Sequence, residues 1–174
     1  MIIDTSVIIA VLREEADATL WLRAIAQAEN SRLSAASYVE AALVVDSNRD
    51  AILSRRLDEF LALSNVVVEP VTLEQARIAR QAYRDFGKGS GHRAKLNFGE
   101  SFAYALAKAT GEPLLFKGDD FKHTDVEPAL GPQGRLQEPD APVYQAERTA
   151  TPRRRQKREM PRRKRAAPGA RATR

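Results

Sequence analysis

Five carboxylates stand where a strand ends or a helix begins. Asp4 closes the short apolar run Met1-Ile2-Ile3, and the hydroxyl residues Thr5 and Ser6 follow it before a second apolar run, Val7 to Leu12. Glu40 is flanked by Val39, Ala41, Ala42 and Leu43, a setting too apolar for an ordinary surface acid. Glu100 lies in Phe98-Gly99-Glu100-Ser101-Phe102, in the first turn of an expected helix. Asp119 and Asp120 end the run Leu114-Leu115-Phe116-Lys117-Gly118. Each acid also has a bland role: Asp4 as a helix N-cap, Glu40 on a helix face, Glu100 as a partner of the helix dipole, and the two aspartates as turn residues. If the fold gathers them, their mutual repulsion calls for a cation. A hard divalent ion takes oxygen ligands, and such a site can activate water for attack on a phosphodiester.

Other chemistries lack their residues. The chain has no cysteine, which removes disulfides, thiolate metal sites and a thiol nucleophile and fits a cytoplasmic protein. Its two histidines, His92 and His123, are not near a serine in a nucleophile turn and read as surface or hydrogen-bonding residues. No glycine-rich phosphate loop follows a strand, and Asp4-Thr5-Ser6 lacks the second aspartate of an aspartyl-phosphate enzyme. No apolar run is long enough to span a membrane, and the acid at position 4 argues against a signal peptide.

The acids must be positioned by alternating short strands and longer helices. Met1–Ile3 reads as a buried strand with a helix starting directly after Asp4. A helix is expected over 14–29, a very short strand over 32–35, and a helix capped by Ser34 or Ser37 running through Val45. Another helix starts at Asp50 and is broken by Asn65 before the β-branched strand Val66-Val67-Val68. Thr72 opens a helix to Phe86, followed by the loop Gly87-Lys88-Gly89-Ser90-Gly91. Leu96 or Asn97 begins a helix through Thr110, stopped by Gly111, and Leu114–Phe116 forms the last strand. The alternation predicts an α/β fold with a mainly parallel sheet flanked by helices. In such sheets ligands bind at the carboxyl edge, where Asp4 and the Asp119/Asp120 pair would both fall. Trp21, Leu22, Leu57, Phe60 and Leu61 suit either the core or a seam with a partner.

The net charge of +5 is unevenly spread. Residues 1–130 carry 15 basic and 19 acidic side chains, net −4, whereas 131–174 carry 13 basic and 4 acidic, net +9. The second stretch also holds six prolines and three glycines, with Arg153-Arg154-Arg155 and Arg162-Arg163-Lys164-Arg165 as basic clusters. We read 1–130 as the folded domain and 131–174 as a disordered basic tail, either a nucleic-acid-binding extension or one without function.

Four blocks in this order resemble a PIN domain, and more narrowly a VapC-type toxin of a bacterial toxin–antitoxin module. They are Met1–Ser6, Ser34-Ala35-Ala36-Ser37-Tyr38-Val39-Glu40, the stretch Gly91–Ala107 around Asn97-Phe98-Gly99-Glu100, and Leu114–Phe121 with Lys117-Gly118-Asp119-Asp120-Phe121. The resemblance implies a PIN-like fold and Mg2+-dependent (Mn2+ possible) endoribonuclease activity that leaves a 5′-phosphate and a 3′-hydroxyl. It also implies a VapB-like antitoxin, an RNA substrate and a homodimer. Asp4 and Glu100 would be the principal metal ligands, and Glu40 would complete the pocket. The fourth ligand falls to Asp119 or Asp120, with Asp120 next to Phe121 matching the motif better. Ser6 would orient Asp4.

The chain departs from the pattern in two places besides its tail. The family usually has Asp where this chain has Glu100, and the extra methylene moves the carboxylate by about 1.5 Å. Arg93 and Lys95 make the preceding loop unusually basic, suited to a phosphate backbone or simply to solvent. Glu100 keeps a second reading open: a degenerate PIN scaffold that binds antitoxin and operator DNA with little catalysis. A third is a non-toxin RNA-processing PIN nuclease.

Overall fold

The computed structural model describes residues 1–47, 49–131, 134 and 136. Four short strands form one parallel sheet: β1 (Ile2–Ile3), β2 (Ser31–Ser34), β3 (Val66–Glu69) and β4 (Leu114–Leu115), in the order β3-β2-β1-β4. Among the described residues six α-helices connect them: α1 (Thr5–Leu12), α2 (Ala18–Gln27), α3 (Ala35–Asp46), α4 (Ala51–Leu63), α5 (Leu73–Phe86) and α6 (Phe98–Thr110). This is the expected α/β architecture. None of the described helices is long and apolar enough to cross a membrane.

The two-residue period of a strand sorts the core into two halves. Ile3 and Leu115, paired in register, face one side with Val7, Ile8, Leu33, Val45 and Phe60. Ile2 and Leu114 face the other, with Leu96, Ala103, Leu106 and Phe121. Because both faces are covered, β1 is wholly apolar; Ile2 and Ile3 are each fully buried. Trp21, Leu57, Phe60 and Leu61 are core residues, and only Leu22 of that group remains exposed.

Helix boundaries follow local chemistry. Asp50 accepts from the backbone N–H groups of Ile52 and Leu53, and Thr72 with Gln75 forms a capping box at the start of α5. Ser34, rather than Ser37, caps α3 by accepting from Ala36 N. Gly111 ends α6 in the left-handed conformation, φ 67°. The helix expected over 14–29 starts later, at Ala18. Glu14 takes a left-handed φ of 53° after α1, and Glu15 and Asp17 are drawn into ion pairs with Lys117. These tertiary contacts override the helical propensity of Glu14–Asp17.

The expected disordered tail lies almost wholly outside the described residues. Where the chain is described past residue 130, Leu136 bridges Leu130 in antiparallel fashion and both pack against the core.

The strand order fixes where a site can form. From β1 the chain steps outward to β2 and β3, then returns to place β4 on the other flank of β1. The direction of winding therefore reverses between β1 and β4, which opens a crevice at their carboxyl ends. Replacing Ile3 by Ala opens a cavity in the centre of this frame. Urea denaturation should register a loss of about 2–5 kcal/mol.

Candidate active site

Asp4 lies at the mouth of that crevice and does two jobs. It is the N-cap of α1: its Oδ2 accepts from Ser6 N at 2.9 Å and from Ser6 Oγ at 2.5 Å. Its own N–H donates to Leu115 O, extending the β1–β4 pairing by one residue. Ser6 Oγ in turn accepts from Lys117 N at 3.0 Å, so one hydroxyl joins the acid after β1 to the chain leaving β4. The orienting role expected of Ser6 corresponds to this contact. The other carboxylate oxygen, Asp4 Oδ1, is buried and has no hydrogen-bond partner. Burial pushes the Asp4 carboxyl above the ordinary carboxylate range; the Ser6 hydrogen bonds oppose this, and the Glu40 charge adds to it.

Glu40 reaches the same place from α3. Its Oε2 lies 2.8 Å from Thr5 Oγ1, and its carboxylate packs directly over the backbone of Gly99 in the first turn of α6. The next residue, Glu100, forms a capping box with Asn97: Glu100 N donates to Asn97 Oδ1 at 2.9 Å, and Asn97 N donates to Glu100 Oε2 at 2.6 Å. The extra methylene that distinguishes Glu100 from the usual Asp is taken up in this backward reach. The Glu100 carboxyl is pushed up to about 7, first by burial, with Asp4 and Asp120 adding repulsion and the Asn97 N–H and Lys88 working against it.

The two adjacent aspartates part company. Asp120 opens a 3-10 turn, Asp120–His123, anchored by buried Phe121 against Phe116, and its charge is felt at Glu100. Asp119 is exposed and paired with Lys122 at 2.6 Å, which holds its carboxyl below the usual range. Glu40 thus acts on Asp4, and Asp4 and Asp120 act on Glu100, whereas Asp119 is taken up by Lys122.

This donor set suits a hard divalent cation in chemistry, being all oxygen, with buried Asp4 Oδ1 lacking any partner. Among the described residues no three acidic or histidine side chains stand close enough to form a ready ligand set.

The basic loop before α6 is ordered by pairing at its base. Lys88 N donates to Leu96 O and Leu96 N to Phe86 O, both at 2.9 Å, while the His92 ring packs edge-on against Phe86. Ala94 and Leu96 are fully buried, so the alternating residues Arg93 and Lys95 face outward. His92 serves within the loop, its Nδ1 accepting from Ala94 N.

Sequence reasoning did not single out Thr5, Asn97 or Gly99. Asn97 was visible as a possible helix start, but not as the group that ties down Glu100. Gly99 carried a signal in its type alone, since glycine in a helical turn costs about 1 kcal/mol against alanine.

The raised Glu100 carboxyl has a defined pH consequence. A carboxyl that titrates higher in the fold than in the unfolded chain favours folding while protonated, and that stability is lost as pH rises from its ordinary value towards about 7. In chelator, folding stability should fall by roughly 1–2 kcal/mol from about pH 5 to about pH 8 once partial exposure is allowed for, with the melting temperature falling alongside it. Glu100→Gln keeps the capping hydrogen bond but not the charge, and should flatten most of that fall in thermal melts.

The chain was compared with known proteins. Residues 1–127 match the PIN domain family. Over 130 residues the chain is 58% identical to ribonuclease VapC28 of Mycobacterium tuberculosis, covering 75% of this chain and 98% of that protein. It is 48% identical over 126 residues to ribonuclease VapC of Mycolicibacterium smegmatis, covering 72% and 97%. Among solved structures, M. tuberculosis VapC20, described as a toxin that cleaves the sarcin–ricin loop, superposes with a TM-score of 0.58 at 16% identity, covering 72% of this chain and 95% of that one. A toxin–antitoxin complex from Klebsiella pneumoniae gives 0.53 at 16% identity, covering 78% and 95%. At that identity the two structures speak for the fold alone. The length of the matches and the height of the sequence identities together show that this chain belongs to the PIN-domain family, in its VapC branch.

Proposed function

We propose that this protein is the toxin of a toxin–antitoxin pair and acts as a divalent-cation-dependent endoribonuclease in the cytoplasm. The observation that carries the reading is the buried carboxylate of Asp4, acted on by Glu40 and acting on Glu100, in a chain 58% identical to a VapC ribonuclease. Asp4, Glu40, Glu100 and Asp120 would hold Mg2+ or Mn2+. The bound ion supplies activation of water and neutralisation of phosphoryl charge.

The protein's own groups do the rest. Ser6 fixes the rotamer of Asp4 and leaves Oδ1 free to ligate. Asn97 N–H holds one oxygen of Glu100 and leaves the other free, so Glu at this position remains able to ligate. That supports a working nuclease over a degenerate scaffold. Lys88, Arg93 and Lys95 bring positive charge to one side of an otherwise acidic domain, where an RNA backbone would need it.

An antitoxin and a second copy of the chain are the protein partners we propose. Val39 and Leu43, one turn apart on α3, are 53% and 67% exposed and support a contact of this kind.

The direct test is cleavage of RNA in Mg2+ by the wild type and by Asp4→Asn. Loss of one ligand charge should slow cleavage by about 100-fold or more, and chelation should abolish it. Equal rates for the two proteins, or activity that survives chelator, would sink the reading. Glu100→Asp should cleave at a rate comparable to the wild type; a large gain would mark the native site as damaged.

A further inference from the structure

The Glu40 carboxylate is held from two sides by residues that are not themselves acids. On one side is the Thr5 hydroxyl, 2.8 Å from Oε2 and 3.2 Å from Ser37 O. On the other is Gly99. A Cβ built there falls on top of both carboxylate oxygens and the carbon between them, far inside van der Waals distance. The acid occupies the volume that any side chain at position 99 would fill. We propose that Thr5 and Gly99 are positioning residues that clamp the Glu40 carboxylate beside Asp4, so that it meets the cation as a fixed ligand.

Three features support this assignment. Gly99 has no positive φ to demand glycine, and it lies in the first turn of a 13-residue helix, where alanine is the better helix former. The steric need comes from Glu40, not from the backbone. Thr5 is buried and directly follows Asp4, so the two acids are tied to consecutive residues of α1. Glu40 is only half-buried, so a carboxylate pushed off Gly99 has solvent to move into. Displacement should therefore cost ligation rather than folding, as loss of a group that orients a metal ligand does elsewhere.

The inference rests on the reading that a divalent cation binds these acids, and its test separates the two. Mn2+ is titrated calorimetrically into the full chain and its variants, with thermal melts in chelator as the check on folding. Gly99→Ala should bind Mn2+ about 10- to 100-fold more weakly while melting no lower than the wild type. Thr5→Val should also weaken binding, and Thr5→Ser, which keeps the hydroxyl, should restore it. In a Glu40→Gln background, Gly99→Ala should cost nothing further, because the group it displaces no longer carries the charge.

Wild-type affinity in Gly99→Ala overturns the clamp. So does an undiminished loss in the Glu40→Gln background, which would mean that Gly99 acts through another group. If Gly99→Ala melts lower, the Thr5→Val and Thr5→Ser pair decides, and equal affinity in those two overturns the clamp. A wild type that takes up no Mn2+ overturns the cation reading itself, whatever the variants do.

Discussion

The constraint behind this structure is the electrostatic cost of holding several carboxylates in one crevice. Asp4 is almost completely buried, and Glu40, Glu100 and Asp120 stand near enough for their charges to be felt. Left to themselves these groups would protonate or swing into solvent. The fold opposes both with fixed dipoles: Ser6 on Asp4, Thr5 on Glu40, the Asn97 N–H on Glu100. The restraints on Asp4 and Glu100 come from residues two and three positions away in sequence, whereas the one on Glu40 crosses 35 residues from α1 to α3.

Two of the acids proposed as ligands also cap helices. Asp4 is an N-cap and Glu100 completes a capping box, which are the bland roles that sequence alone suggests for them. The bland and functional readings are therefore not rivals. A helix N-terminus needs an acceptor for its free N–H groups, and a carboxylate that supplies it is held in a defined rotamer with one oxygen to spare. Glutamate at position 100 fits the same logic: its length suits the backward reach to Asn97 N.

Much of this was legible in the sequence. Asp4, Glu40 and Glu100 each broke an apolar pattern, and the strand–helix alternation placed Asp4 and the Asp119/Asp120 pair on one edge. The different settings of Asp119 and Asp120 were not legible, because Lys122 pairs with the first and Phe121 is buried beside the second. The late start of α2 was hidden for a similar reason. Glu14–Asp17 has ordinary helical composition, and its acids pair with distant cations in the turn, Glu15 and Asp17 with Lys117 and Glu14 with Arg56. Gly99 and Thr5 were invisible because a residue that makes room, or turns a hydroxyl towards a distant helix, leaves no periodic mark.

The hydrogen bond from Lys117 N to Ser6 Oγ spans 111 residues and has a consequence for assembly. Chain synthesis delivers Asp4 first and the strand beside it nearly last, since β4 and the Asp120 turn follow every helix. Until that strand docks, Asp4 has neither its flanking backbone nor its fourth acidic neighbour. A nascent or truncated chain ending before residue 114 therefore carries three of the acids yet has no crevice to hold them. The order of winding therefore sets the order of assembly: the acids cannot share one edge until nearly the whole domain has been made.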